Sequence, residues 1–346
     1  MSDTDQPGDT MRERAGRSAW LLYLLLDANR WLVAGLLSAV LFLALVAAGL
    51  AQPVPAQTLL TTGDPVETVF QALVTGIITA VTLVLTLSQL VLSQELGAAG
   101  DQRERMTGAM EFRDDAADVI GTAVSPAEPS AFLRSLVRAT DEQARDVEAA
   151  LDPDALDEEL TELLSTYLDS ITGNAEAVTA QLEGAAFGEF DVLKAALNYN
   201  YSWKLYAGRR IREAYADQLS EDVAERLDHL TRTLRLFGPA REHFKTLYFQ
   251  WELSNLSRTL LYVSVPALAV TISSLLFLNP ADFAGLTLGV ANSLWLVAAA
   301  TTLSLAPFTL LLSYVLRIVT VTKRTLSIGP FILRETDRSV DVEWDS

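Results

Sequence analysis

The chain has 346 residues, half of them hydrophobic, yet its net charge is −18. The two facts are compatible if the apolar residues are gathered in a membrane and the acids lie outside it, and so acidic a chain is disfavoured as a nucleic-acid binder. It has no cysteine, which excludes disulfides, thiol nucleophiles and cysteine-ligated metals.

Residues 1–17 read as a disordered polar tail. They carry Asp3, Asp5, Asp9, Arg12, Glu13, Arg14 and Arg17 around no apolar core, so they are not a signal peptide. From Ser18 the run Trp20 to Leu26 is broken by Asp27, Asn29 and Arg30, and Asp27 and Arg30 are spaced to pair on a helix. Trp20, Tyr23 and Trp31 suit a headgroup zone, so an interfacial helix is expected to feed the first span. No charge occurs from Trp31 to Gly63, and Gln52-Pro53-Val54-Pro55 ends the helix near Ala51.

Asp64-Pro65 suits the start of a second span, with Asp64 as cap and Pro65 in the first turn. This span, Glu67 to Glu95, holds no charge between the two glutamates. Its main polar residues are Thr68, Gln71, Thr75, Thr79, Thr82, Thr86, Gln89 and Ser93. At 100° per residue these eight fall within an arc of about 80°, with only Ser88 and Gln94 outside it. Hydrocarbon offers such groups no partner, so the row faces either another helix or water. Packing is the plain account, because threonine is common between membrane helices and bonds its own backbone. Eight positions over the full bilayer depth equally fit a water-accessible path. One helix cannot enclose a pore, so that reading needs several copies around an axis, with Glu67 and Glu95 at the mouths or simply marking the membrane's edges. The row is uncharged and suits either ion sign.

With no proline from Val66 to Ser125, the second span is expected to continue as one long helix to about Thr122, bent at most at Gly97, Gly100 or Gly108. Ser130 then caps a helix to Asp152 with Phe132, Leu133, Leu136, Val137 and Val147 inward. Asp152-Pro153 starts the next, with Leu156, Leu160, Leu163, Tyr167 and Ile171 at helical spacing. Gly184 and Gly188 mark a turn, and a single helix holds Val192, Leu193, Leu197 and Tyr201. Ser220 caps a segment with Val223, Leu227, Leu230 and Leu234 inward. Gly238-Pro239 should interrupt it before a last helix rises from about Arg241. The aromatic segment Tyr199 to Tyr206, followed by Arg209, Arg210 and Arg212, reads as bundle core with a basic end, or as a lipid-facing or anion-attracting surface. Phe244, Tyr248, Phe249 and Trp251 fit an aromatic belt.

Uncharged stretches recur at Thr259–Ala281 and Phe283–Leu316, the latter holding a span of about Asn292 to Leu316. Pro266 and Pro307 lie inside these spans, where each removes a backbone donor and is a candidate kink. Each of the four stretches holds the roughly 20 apolar residues that a crossing requires. The connections Gln52–Val66 and Asn279–Ala291 contain no Lys or Arg, so all 26 basic residues lie on the other, cytoplasmic side, with both termini. Arginine outnumbers lysine 22 to 4, a balance resembling proteins of salt-loving archaea, in which surface acidity serves solubility.

Catalytic signals are absent. His229 and His243 form no HExxH, no phosphate loop or G-x-S-x-G elbow occurs, and the acidic run Asp152 to Glu159 lacks EF-hand spacing. No catalytic residue, metal ligand or cofactor is expected. The layout resembles the bestrophin channel family, by topology alone, over about residues 18–325. That family has four membrane helices, both ends cytoplasmic, a long second helix, and a helical insert before the third span. The resemblance implies a homo-oligomer whose second helices line an anion pore, and no binding residue is carried over from it.

The expected protein is all-α, with five segments. These are a tail (1–17), an interfacial helix with transmembrane helices 1–2 (18–95), a cytoplasmic helical domain (96–257), transmembrane helices 3–4 (258–320) and a cytoplasmic tail (321–346). It reads as a multi-pass plasma-membrane protein, not an enzyme. Either it is a homo-oligomeric channel lined by the eight polar residues, with lipid and ions as partners, or it is a non-conducting sensor or scaffold whose bundle binds a partner.

Overall fold

The structure is a computed structural model that describes residues 20, 23–95, 97–152, 156–185 and 190–324; the side chains of Leu90, Val91, Gln94, Glu95, Lys323 and Arg324 lie outside that description. The tail at 1–17 and most of 321–346 also lie outside it. The fold is all-α, about 83% helical. In chain order the helices are α1 (Arg30–Leu50), α2 (Ala56–Thr61), α3 (Pro65–Glu95), α4 (Ala99–Ile120), α5 (Pro129–Ala150), α6 (Glu158–Leu182), α7 (Phe190–Leu197), α8 (Tyr201–Ala214), α9 (Glu221–Phe277), α10 (Asn292–Ser304) and α11 (Ala306–Arg324). A π-helical turn, Tyr23–Asp27, precedes α1, and a 3₁₀ turn, Pro280–Asp282, follows α9. The described residues form two compact units, one of residues from 97–249 with 321–324 and one of residues from 20–95 with 250–320.

The first unit is a helical bundle. Its core takes Phe132, Leu133, Leu136, Val137 and Val147 from α5, Leu160, Leu164, Tyr167 and Ile171 from α6, and Val223, Leu227, Leu230 and Leu234 from α9, all buried. These are the apolar positions of the helical repeats, so burial follows the periodicity. The aromatic segment is core as well. Tyr199 and Tyr201 are buried, the Tyr199 ring meets Phe237, and its hydroxyl pairs with that of Thr140 at 2.5 Å. Lys204 is also buried, its ammonium 3.3 Å from the Ser170 hydroxyl and over the rings of Tyr199 and Trp203. The basic end is held by neighbours, Arg210 by the Tyr206 hydroxyl at 2.8 Å and Arg212 by Asp228 at 3.6 Å. Phe244 and Tyr248 do not form an aromatic belt. Phe244 packs edge-on against Phe132, and the buried Tyr248 packs against Phe190.

Several expected boundaries move. No single helix runs to Thr122. It stops at Glu95, Ala98 is extended, and α4 restarts at Ala99, ending at Gly121 in the left-handed region (φ 73°). The cap of α5 is Glu128, not Ser130. Its carboxylate accepts from the backbone of Ser130 and Ala131, because Pro129 prefers the first helical position. Asp157, not Asp152, caps α6 by accepting from the Leu160 amide at 2.7 Å, and residues 153–155 and Gly188 lie outside the described residues. Asn198–Asn200 splits the expected single helix into α7 and α8, with the buried Asn174 side chain taking the freed backbone groups of Asn198 and Asn200. Gly238-Pro239 does not interrupt α9. A Cβ at Gly238 would lie 2.9 Å from the Tyr201 ring, so this glycine allows a close approach, while Phe237 and Ala240 lock the turn into the core.

The second unit holds the apolar helices. Three helices are long and apolar enough to cross a membrane (α1, α3 and the apolar part of α9), or four if the bent pair α10–α11 counts as one. That pair breaks at Leu305 with a 50° bend, and Pro307 falls in the first turn after it, where its missing donor costs nothing. Pro266 lies within continuous helix. The α9–α10 connection contains a two-stranded ladder, β1 (Leu286–Thr287) with β2 (Val290–Ala291), that the sequence pattern did not announce. Leu288 and Gly289 turn it with φ 54° and 79°, as a type I′ turn requires. The π-helical turn before α1 is tied down by charge. Arg30, buried, donates to the carbonyls of Leu25, Ala28 and Ser313, and Arg317 donates to the Ala28 carbonyl at 3.0 Å while pairing with the buried Glu252 at 3.5 Å.

Candidate functional site

The face of α3 that packs within its unit is made of Val66, Phe70, Ile77 and Val84, all buried, with Ser88 half-buried. The steps of four, seven, seven and four keep these residues on one side. Ser88, outside the polar row, makes the polar contact on this side by sharing a hydrogen bond with the Ser257 hydroxyl of α9. The polar row lies on the opposite side, its centre about 160° from that of the packed face at 100° per residue.

Thr68, Gln71, Thr75, Thr79, Thr82, Thr86, Gln89 and Ser93 are all exposed. None is sealed against another helix of its own unit. The structure brings the eight together as one outward strip along a single helix. Glu67 is exposed at the N-terminal end of that strip; the Glu95 side chain, expected at the other end, lies outside the described residues. The two flanks are apolar and exposed, with Ile78 and Leu85 on one side and Val69, Leu83 and Leu87 on the other.

The threonines are not idle. Thr68, Thr79, Thr82 and Thr86 each donate a hydroxyl proton to the carbonyl four residues earlier at 2.8–3.1 Å, and Thr75 does so at 3.4 Å. Each hydroxyl is thereby half satisfied within the helix. Its lone pairs remain free to accept from outside the helix.

Beside the row a groove of about 300 Å³ opens between α3 and the α10–α11 break, lined by Ala72, Leu73, Gly76, Ala80, Leu305 and Phe308. Ser304, at the break, is fully buried and accepts from Thr271 at 2.8 Å. Among the described residues no three histidine, aspartate or glutamate side chains converge on a metal-sized site. The Arg30–Arg317–Glu252 cluster was not anticipated as a unit. The available signal was an arginine at the edge of two of the uncharged stretches, since Arg30 abuts Trp31 and Arg317 abuts Leu316, whereas Glu252 abuts none.

Fold and site together define an all-helical protein with several helices long enough to cross a bilayer and a polar strip on one of them. The chain belongs to DUF7972, a family of unknown function, which matches residues 1–346. No curated protein and no solved structure matches it.

Proposed function

We propose that the protein is a four-pass membrane protein that assembles from identical copies around the polar face of α3 and encloses an aqueous path for ions. The observation that carries this reading is the direction of the strip. All eight polar side chains point away from the helices of their own unit and are exposed. Hydrocarbon offers no partner to two glutamine amides or to the free lone pairs of the back-bonded hydroxyls, so a spanning α3 turns them toward water or toward polar groups of another copy. A symmetric ring supplies both. The four spans are α1, α3, the apolar part of α9, and α10 with α11 as one bent crossing. The absence of Lys and Arg from the connections 52–66 and 279–291 supports a cytoplasmic position for residues 97–249. The four-span layout resembling bestrophin channels agrees with conduction through the second span.

The test is electrical. Full-length protein in planar bilayers should pass current, and Thr82→Trp, at mid-height of the row, should abolish most of it without changing the amount of assembled protein. No current from correctly assembled wild-type protein would sink the proposal. One observation favours a second reading, a non-conducting membrane-anchored scaffold whose bundle binds a partner. The back-bonded threonines already satisfy their protons, which lowers the cost of meeting lipid or a packed helix. That protein would pass no current, and Thr82→Trp would leave its behaviour unchanged.

A further inference from the structure

Resting on the pore reading, we infer that the path is lined for small monovalent cations and against anions. A threonine hydroxyl has one proton and two lone pairs. In Thr68, Thr79, Thr82 and Thr86 the proton lies in a bond to a backbone carbonyl at 2.8–3.1 Å, and a carbonyl oxygen cannot donate. The direction of each bond is therefore settled, and what these residues turn outward is oxygen with free lone pairs. Repeated around an axis, successive turns of α3 present rings of acceptors. A dehydrating cation is stabilised by such rings, as it is by carbonyl rings, whereas a halide needs donors and finds none on these hydroxyls.

The remaining residues do not reverse this. Gln71 and Gln89 carry both a donor and an acceptor and are neutral to sign. Glu67, exposed just outside the first threonine, would place a ring of carboxylates at one mouth. No lysine or arginine lies anywhere between Trp31 and Gln94 to attract an anion. The inference runs opposite to the anion pore that the bestrophin-like layout implies.

The experiment is the reversal potential of the full-length protein in a planar bilayer under a tenfold KCl gradient. A reversal potential displaced toward the potassium equilibrium value supports the inference. One displaced toward the chloride value, or at zero, overturns it while leaving the pore intact. Absence of any current instead removes the pore reading on which it rests. The lining is tested by Thr79→Val and Thr82→Val together, which keep shape and remove two acceptor rings, and should lower the potassium-to-chloride permeability ratio several-fold. Thr79→Ser with Thr82→Ser should restore it. An unchanged ratio in the valine variant also overturns the inference.

Discussion

At the scale of single residues, the buried charges carry the largest stakes. Glu252 and Arg317 face each other at 3.5 Å with almost no solvent, and Arg317 and Arg30 both hold the Ala28 carbonyl. Removing one partner of such a pair leaves the other charge buried and uncompensated, at a cost of roughly 3–5 kcal/mol. Glu252→Gln should therefore lower the apparent melting temperature of the detergent-solubilised protein by many degrees, whereas Glu176→Gln, at an exposed pair with Arg145, should shift it little. In the bundle, a methyl group at Gly208 would overlap the Tyr167 hydroxyl, which donates to the Lys204 carbonyl at 3.0 Å. Gly208→Ala is expected to cost about 1–3 kcal/mol, read by denaturant unfolding. Burial pushes the Tyr167 pKa up, with the neighbouring Tyr199 adding to it. The Gly208 contact was not visible in the sequence, because a glycine in a helix has no periodic signature and only the fold reveals what lies opposite it.

At the scale of elements, caps and breaks are where sequence reading and structure part. Apolar repeats in α5, α6 and α9 were legible because burial repeats with the helix, so Leu133, Ile171 and Leu230 fall in the core where their spacing put them. Caps were less legible. Glu128-Pro129-Ser130 offers two candidates, and the proline decides for Glu128 only once its preference for the first helical position is weighed. Gly238-Pro239 reads locally as a breaker, yet burial of Phe237 and Ala240 overrides it. The Glu128 cap has a pH signature. Partial burial pushes its pKa up, but hydrogen bonds from the Ser130 side chain and the Ser130 and Ala131 amides outweigh this, with Arg134 assisting, and hold it below the ordinary carboxylate value. A carboxyl with a depressed folded pKa stabilises the fold above its unfolded value, and the contribution is lost as pH falls through the folded pKa. Glu128→Ala should thus lower stability by about 1 kcal/mol near neutral pH, with the difference from wild type shrinking in acid, as measured by denaturant titration at several pH values.

At the scale of the whole molecule, the helical class and the apolar segments were readable because a membrane-length uncharged run is a strong signal. The direction of the polar row was not readable. A helix wheel shows that eight polar residues share a side, but whether that side meets a sister helix depends on which opposite residues the fold chooses to bury. Here Phe70, Ile77 and Val84 make that choice, and the row is left facing outward. The central claim is that water reaches this row in the assembled protein. The chain has no cysteine, so single cysteines can be introduced along α3 and probed in intact membranes with a water-soluble, membrane-impermeant thiol reagent. Modification is expected at Gln71, Thr75, Thr79, Thr82 and Thr86, recurring every three or four residues, with protection at Ile77 and Val84 on the packed face and at Leu83 and Leu87 on the flank. Protection of the whole row, or equal reaction at Leu83 and Leu87, would contradict the claim.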